Sequence, residues 1–469
     1  MLDAVVVGSG PNGLAAAVAL AERGRAVRVL EASSEIGGGC RTAELTLPGF
    51  RHDICAAVHP LGAASPFFRS LPLDEHGLAW LEPPLPLAHP LDDGTAAVLA
   101  RSVEETATGL EPDTRAWLRL LEPLTRRVEE VLDLALAPPL RAARSPMLGA
   151  RFGSVALQPA SWIVRRFRSD AARALFAGLA AHAIAPLTTP GTAGVALVLA
   201  AAADVLGWPV AHGGSQAIVS SLAGLLSDLG GAVETGVTVR RIDELPDARA
   251  VLLATDAHQA AAIGGSALRP GARRALQRVR PSPGVFKLDF ALSGPIPWTA
   301  EVCRAAGTVH VGGTYEEIAA AEAATAAGEH PQRPFVLVAQ PSLADHTRAP
   351  AGRHVGWAYC HVPSGSASDM TGPIIAQIER FAPGFEGTIL AAHAMGPSDF
   401  EAYNRNYRGG DITGGAIGVR GLLFRPVASP DPYRIGDGVW LCSAAAPPGA
   451  GVHGMCGYHA ARSVLAATR

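Results

Sequence analysis

Three glycines are the first residues in this chain whose types and spacing fit a chemical task. Gly8, Gly10 and Gly13 follow the apolar run Ala4–Val7 and precede a second apolar run, Leu14–Ala21. The spacing Gly-x-Gly-x-x-Gly suits a diphosphate. The first glycine permits a tight turn, the second lets the backbone approach the anion, and the third lets a helix pack on a strand. The helix start adds partial positive charge. Glu31 ends the strand-like Ala26–Leu30, eighteen residues after Gly13. A carboxylate there accepts hydrogen bonds from a ribose 2′-hydroxyl and repels a 2′-phosphate, so the pattern predicts a dinucleotide with an unphosphorylated adenosine.

Six residues beyond Glu31 lies Gly37-Gly38-Gly39-Cys40-Arg41-Thr42. The run allows a second close backbone approach, and Arg41 adds a fixed cation for phosphate or carbonyl oxygens. A nicotinamide enzyme has no obvious use for it. Lys287 is the only lysine in the chain. It falls in Gly284–Leu292, whose alternation reads as a strand, and at period two it shares a face with Val285 and Asp289, opposite Phe286, Leu288 and Phe290. His59, His453 and Asp411 are the remaining candidates for a general base, the last in the glycine-rich Gly409–Gly415. Each is also a residue type that often serves structure alone.

The elements that position these residues alternate in type. Strand-like Ala4–Val7, Ala26–Leu30, Val233–Ile242, Ala250–Ala254, Gly284–Leu292 and Gly438–Ser443 are interspersed with helical segments, which predicts an α/β architecture. Residues 174–203 contain no Asp, Glu, Lys or Arg. His182 and the break Pro186–Gly191 argue against a membrane span, and the stretch reads as two short buried helices, Ala174–Ala185 and Thr192–Ala203. Residues 131–168 carry six arginines against Asp133, a net of +5. Prolines interrupt this stretch, which favours a helical lid with its arginines in water and leaves a peripheral membrane contact as the alternative.

The run from Gly8 through Glu31 to Thr42, then Gly49-Phe50-Arg51-His52-Asp53, resembles the phytoene desaturase and amine oxidase superfamily of FAD enzymes. Gly438–Ser443 and Pro447–Gly457 are similar to the phytoene-desaturase-related oxidoreductases, and Gly213-Gly214-Ser215 and Ala254-Thr255-Asp256 extend the likeness through the middle. The resemblance implies a Rossmann-like FAD-binding domain of the glutathione-reductase type with an interleaved substrate domain of mixed sheet and helices. It implies FAD-binding parts at 1–69, 208–283 and 401–469, and substrate-domain parts at 70–207 and 284–400. Gly8, Gly10, Gly13 and Arg41 would then hold the diphosphate side and Glu31 the ribose, with Val239 near the adenine and Gly38, Gly39 and Thr42 also among the cofactor-binding residues. Gly451, Val452, Gly454 and Met455 would lie against the pyrimidine edge of the flavin, where backbone N–H groups stabilise negative charge. Lys287 would hold a water beside the hydride-accepting nitrogen, or else be a solvent-facing edge residue paired with Asp289. Cys456 starts the final helix, unlike the attachment cysteine of amine oxidases, so the FAD is expected to be non-covalent.

The 469 residues allow two to four domains. Apolar residues at 48% against 17% charged exclude disorder and coiled coil. Thirty-nine basic against 42 acidic residues leave −3, so nothing in the overall field favours nucleic acid. Six cysteines without a CxxC pair give neither a disulfide framework nor a metal site. An opening strand where a signal core would stand predicts a cytoplasmic protein. Only one strand–glycine–helix fingerprint is present, since Gly264-Gly265, Gly312-Gly313 and Gly414-Gly415 lack flanking elements, so no second nucleotide site is expected. The apolar inserted segments predict a cavity lined by Ala, Leu, Val and Phe. The function expected is removal of hydride from a hydrophobic, isoprenoid-like or natural-product molecule, with dioxygen or a quinone as electron acceptor. The rival readings are an amine-oxidase-type oxidase releasing peroxide and a flavin-binding protein without turnover.

Overall fold

The computed structural model describes residues 2–138, 146–418, 425–427 and 429–468. Its first sheet has six strands in the order Arg434–Gly436, Val439–Leu441, Ala248–Leu253, Leu2–Val7, Val27–Leu30 and Ala232–Glu234. All neighbours are parallel except the first pair. Val5, Val6, Val29, Leu252 and Leu253 are buried because helices cover both faces, as parallel sheets require. Helix Pro11–Ala21 lies between helices Gln216–Asp228 and Met455–Ala467. Its contact with the last helix depends on Gly457, where a Cβ would fall 1.8 Å from the Asn12 carbonyl oxygen.

The expected strand Val233–Ile242 ends at Glu234. Gly236 turns the chain with φ +75°. The Gly236 and Val237 N–H groups then donate to the Ser33 and Glu31 carbonyls, both at 2.8 Å. Residues 237–240 therefore fold back over the end of Val27–Leu30 rather than extending the sheet.

The second sheet has seven strands in the order Ile389–Met395, Gly284–Leu292, His354–Val362, Val336–Ala339, Ala306–Val311, Leu85–Pro90 and Ala96–Leu99. It is antiparallel apart from the pair Ala306–Val311 with Leu85–Pro90. Phe286, Leu288 and Phe290 face one side, where they pack with Ile374, Ile378 and Phe381 of helix Thr371–Phe381. Val285, Leu337 and Tyr359 face the other side, against a helical layer. That layer is built on Asp170–Ala181 and Thr192–Leu206, the two apolar segments expected from the uncharged run. The first starts four residues earlier than expected because Ser169 caps it, accepting the Ala172 N–H. Among the described residues no helix is long and apolar enough to cross a membrane.

The arginine-bearing stretch forms helices Val128–Ala135, Pro146–Ala156 and Ala160–Val164. Arg141 and Arg144 lie outside the described residues.

Candidate functional site

A cavity of about 660 Å³ opens at the carboxyl ends of the first sheet's parallel strands, where such sheets bind ligands. Its walls combine the first turn (Gly8, Gly10, Gly13), Glu31, the second glycine run (Gly38, Gly39, Arg41) and the folded-back segment with Val239. Ser443, Ala444 and Ala445 close it from the far end of the chain. The two glycine turns meet directly, since a Cβ on Gly38 would stand 3.0 Å from the Gly10 Cα. Helix Pro11–Ala21 starts at this point with Pro at its first position and no side-chain cap, so its free N–H groups are left for an anion. Asn12, also in the wall, keeps its side-chain oxygen buried and unpartnered among the described residues.

Glu31 is 9% exposed. One carboxylate oxygen accepts from the Ser9 N–H at 2.8 Å and the Ser9 hydroxyl at 2.6 Å. The other accepts from the Ser33 N–H at 2.9 Å and has only a long contact, 3.5 Å, with Arg41. That oxygen retains capacity for a ligand hydroxyl. Arg41 lines the cavity but donates to the carbonyls of Glu35 (2.7 Å) and Ile36 (3.2 Å) and lies over the Tyr403 ring, so its guanidinium braces the glycine loop. Thr42 points elsewhere: its hydroxyl donates to Asp53 at 2.8 Å.

The C-terminal glycine segment divides. Ser443–Ala445 line the cavity. Gly451, Val452, Gly454 and Met455 instead pack at the start of the final helix, where Gly454 rests on Phe68 and the Val452 carbonyl abuts Gly62. His453 is fully buried and its Nδ1 accepts the Met455 N–H at 3.0 Å. Burial outweighs the nearby Ala450 and Gly449 carbonyls and pushes its pKa down to about 4. It is a neutral cap for that helix rather than a base poised near neutral pH.

Two other base candidates are likewise engaged in structural hydrogen bonds, His59 through Nε2 alone, since its Nδ1 is buried without a partner among the described residues. Asp411 accepts from the Ser282 N–H and hydroxyl, the Thr413 N–H and hydroxyl, and the Gly414 N–H. His59 Nε2 is 2.8 Å from the Ser215 hydroxyl, and burial pushes its pKa to about 4 despite Asp53.

Lys287 has a different setting. It is 1% exposed on a strand flanked on both sides, so it is not a solvent-facing edge residue, while its pairing with Asp289 holds at 2.5 Å. Asp289 is fully buried, with Nδ1 of His52 and of His393 each 3.7 Å from its carboxylate, and Lys287 stands 5.9 Å from the Trp357 ring centre. Burial leads in pushing the His52 pKa down to about 4, with Lys287 and Arg348 adding to it against Asp289 and Asp53. Lys287 is also close enough to Cys55 for its charge to oppose the rise that burial gives that thiol. Cys55 lies behind Gly39 of the cavity wall. The sheet face under the helices is thus not lined by Ala, Leu, Val and Phe alone, since Lys287, Asp289, His310 and His361 are buried on it.

Behind the cavity, Arg348 is wholly buried between Asp53 and Asp345. Asp53 also accepts the Ser215 N–H at 2.7 Å, and Asp345 the Gly213 N–H at 2.7 Å. One guanidinium therefore ties the early His52-Asp53 pair to Gly213–Ser215.

Sequence reading missed Tyr403, at the end of helix Pro397–Tyr403, and Asn404 and Tyr407 just after it, all of which line the cavity, and it named Asp256 only as part of a likeness and not as a site residue. The Tyr403 hydroxyl donates to the Gly38 carbonyl at 2.6 Å. Asp256 caps helix Ala257–Gly264 through the His258 and Gln259 N–H groups, and burial raises its carboxyl pKa against them. Its signal was the turn-like Thr255-Asp256 after a strand. All six cysteines are buried and free, and among the described residues no cluster of His, Cys, Asp or Glu could hold a metal.

Comparison with known proteins agrees with this geometry. Residues 6–71 match the NAD(P)-binding Rossmann-like domain family. The mouse pyridine nucleotide-disulfide oxidoreductase domain-containing protein 2 is 28% identical, across 99% of this chain and 93% of its own length. Hydroxyneurosporene desaturase of Cereibacter sphaeroides is 30% identical over 51% of this chain and 50% of its own. The solved structure of cyclohexylamine oxidase from Brevibacterium oxydans shares the fold with TM-score 0.61 at 17% identity, covering 99% of this chain and 98% of that one.

Proposed function

We propose that this chain, which is similar to hydroxyneurosporene desaturase over half its length and shares the fold of amine oxidases, is an oxidoreductase of the phytoene desaturase and amine oxidase type that binds FAD non-covalently and removes hydride from a hydrophobic, isoprenoid-like or natural-product molecule, leaving a double bond. The observation that carries this reading is the cavity whose walls are two opposed glycine turns, a ribose-type carboxylate and the C-terminal Ser443–Ala445. Segments 1–69, 208–283 and 401–469 serve the cofactor in this reading, and 70–207 and 284–400 the substrate.

Gly8, Gly10, Gly13, Gly38 and Gly39 would hold the diphosphate by backbone N–H groups and by the absence of Cβ atoms. Glu31 would take a ribose hydroxyl on its less engaged oxygen and exclude a 2′-phosphate, with Val239 beside the adenine. When bound, the flavin supplies a two-electron acceptor. Gly451, Val452, Gly454 and Met455 would keep the start of the final helix fixed on the side toward its ring. Lys287, buried and oriented by its pairing with Asp289, is the one cationic candidate, and would hold a proton or a water toward the reacting centre.

Lys287 also favours a second reading, an oxidase that passes electrons to dioxygen and releases peroxide. Anaerobic mixing of the yellow protein with hydrophobic isoprenoids and with amines tests both. Bleaching by an isoprenoid, with reoxidation by a quinone, supports the desaturase. Bleaching by an amine with peroxide formed in proportion to product supports the oxidase. Rapid reduction by NADPH, or no bleaching by either class, counts against the proposal.

A further inference from the structure

Five large apolar side chains are exposed among the described residues, and three of them, including the two most exposed, fall in one short span, while Leu229 and Leu390 stand singly elsewhere. Met147 (84% exposed), Leu157 (39%) and Trp162 (57%) all fall on helices Pro146–Ala156 and Ala160–Val164 and the turn between them. Arg151, Arg165, Arg166 and Arg168 are exposed in the same span, and residues 146–168 contain no Asp or Glu. None of the four arginines has an ion pair among the described residues. Other arginines of the helical layer do: Arg69 pairs with Glu129, Arg126 with Glu122, Arg127 with Glu130 and Arg173 with Glu316. In a chain of net charge −3, this is an uncompensated cationic island.

Both helices pack inward on Thr192–Leu206, through Leu148 and Ala156 from the first and Ile163 and Val164 from the second. Their polar and apolar exposed residues therefore share the outward side. The arrangement inverts the usual rule for a water-facing surface, because an exposed tryptophan and methionine sit among unpaired arginines rather than among ion pairs.

We infer that this face docks the protein on the anionic surface of a lipid bilayer. Trp162, Met147 and Leu157 enter the boundary between headgroups and acyl chains, and the four arginines meet lipid phosphates. A nucleic acid would satisfy the arginines and leave Met147 and Leu157 in water, so charge and apolarity together select the bilayer. This inference stands independently of the reaction proposed above.

Flotation of the full chain with vesicles tests it. The chain floats with vesicles of phosphatidylcholine mixed with phosphatidylglycerol, does not float with phosphatidylcholine alone, and is released by high salt. Arg165→Gln with Arg166→Gln lowers the partition about twenty-five-fold, and Trp162→Ser lowers it severalfold, both with an unchanged thermal melt. Absence of flotation, or equal flotation with both vesicle types, overturns the inference. Arginine-dependent retention on duplex DNA without flotation assigns the face to nucleic acid instead, and a concentration-dependent dimer that Trp162→Ser abolishes assigns it to a second copy; either overturns it.

Discussion

The nucleotide cavity and the charged centre behind it are built on opposite principles. The cavity meets its ligand with backbone: glycines at 8, 10, 13, 38 and 39, a helix start, and one carboxylate. The centre is made of side-chain charges withdrawn from water, Lys287 with Asp289 and Arg348 with Asp53 and Asp345. At Gly8, Gly13, Gly38 and Gly39 the first leaves no room for a Cβ, and the second tolerates no removed charge. Packing governs one and pairing the other, so substitutions at the two places should fail in different ways.

The largest expected effect is at Arg348. Arg348→Met leaves Asp53 and Asp345 buried without their cation and should cost about 3–5 kcal/mol, read as a lower urea midpoint. A variant as stable as the parent would break the contrast. Lys287→Met should show the same sign, reduced by His52 and His393, which can share the Asp289 charge. The double variant Lys287→Met with Asp289→Leu should recover much of that loss, because a buried pair replaced by apolar groups is often neutral. If Lys287 also serves the reaction, the double variant regains stability and not the flavin half-reaction rate.

In the cavity, Gly13→Ala places a Cβ 2.0 Å from the Gly8 carbonyl oxygen. The cost should be about 1–3 kcal/mol, accompanied by loss of bound flavin as seen in the visible spectrum. Colour retained with lowered stability would separate the turn from the ligand.

The most gradual effect, small for any single ring, is a pH dependence. Burial holds His52, His59 and His453 near a pKa of about 4, below the ordinary 6.5. The fold accepts their neutral forms, so the unfolded chain binds more protons between about 4 and 6.5. Stability is then complete above pH 6.5 and falls as pH drops toward 4, by up to about 1.4 kcal/mol per pH unit for each ring. Urea midpoints at pH 7 and pH 5 measure this, and a midpoint unchanged between them would contradict it.

The same contrast explains what the sequence made legible. Gly8–Gly13, Glu31 and Gly37–Arg41 are local patterns, each needing neighbours only a few residues away, and the strand–helix–strand context reads directly from apolar runs. The charged centre joins residues 52, 53, 287, 289, 345, 348 and 393, which no local period connects. Asp345 and Arg348 went unnoticed for that reason. Asp289 was recognised only as an i, i+2 neighbour of Lys287. The overlong strand Val233–Ile242 shows the reverse failure: its alternation was real, but Gly236 turned the chain into the cavity wall. Asp411 and His453 looked reactive by type, and only the hydrogen bonds that Asp411 accepts and the helix N–H that His453 Nδ1 accepts show them in structural roles.

The central claim is that the cavity between the two glycine turns is the site of a flavin nucleotide. Equilibrium dialysis of the parent chain and of Gly10→Val against FAD tests it most directly. The account predicts one FAD retained per parent chain, with a yellow spectrum, and none on the variant. A parent that stays colourless in excess FAD, or a variant that binds it equally well, would contradict the account.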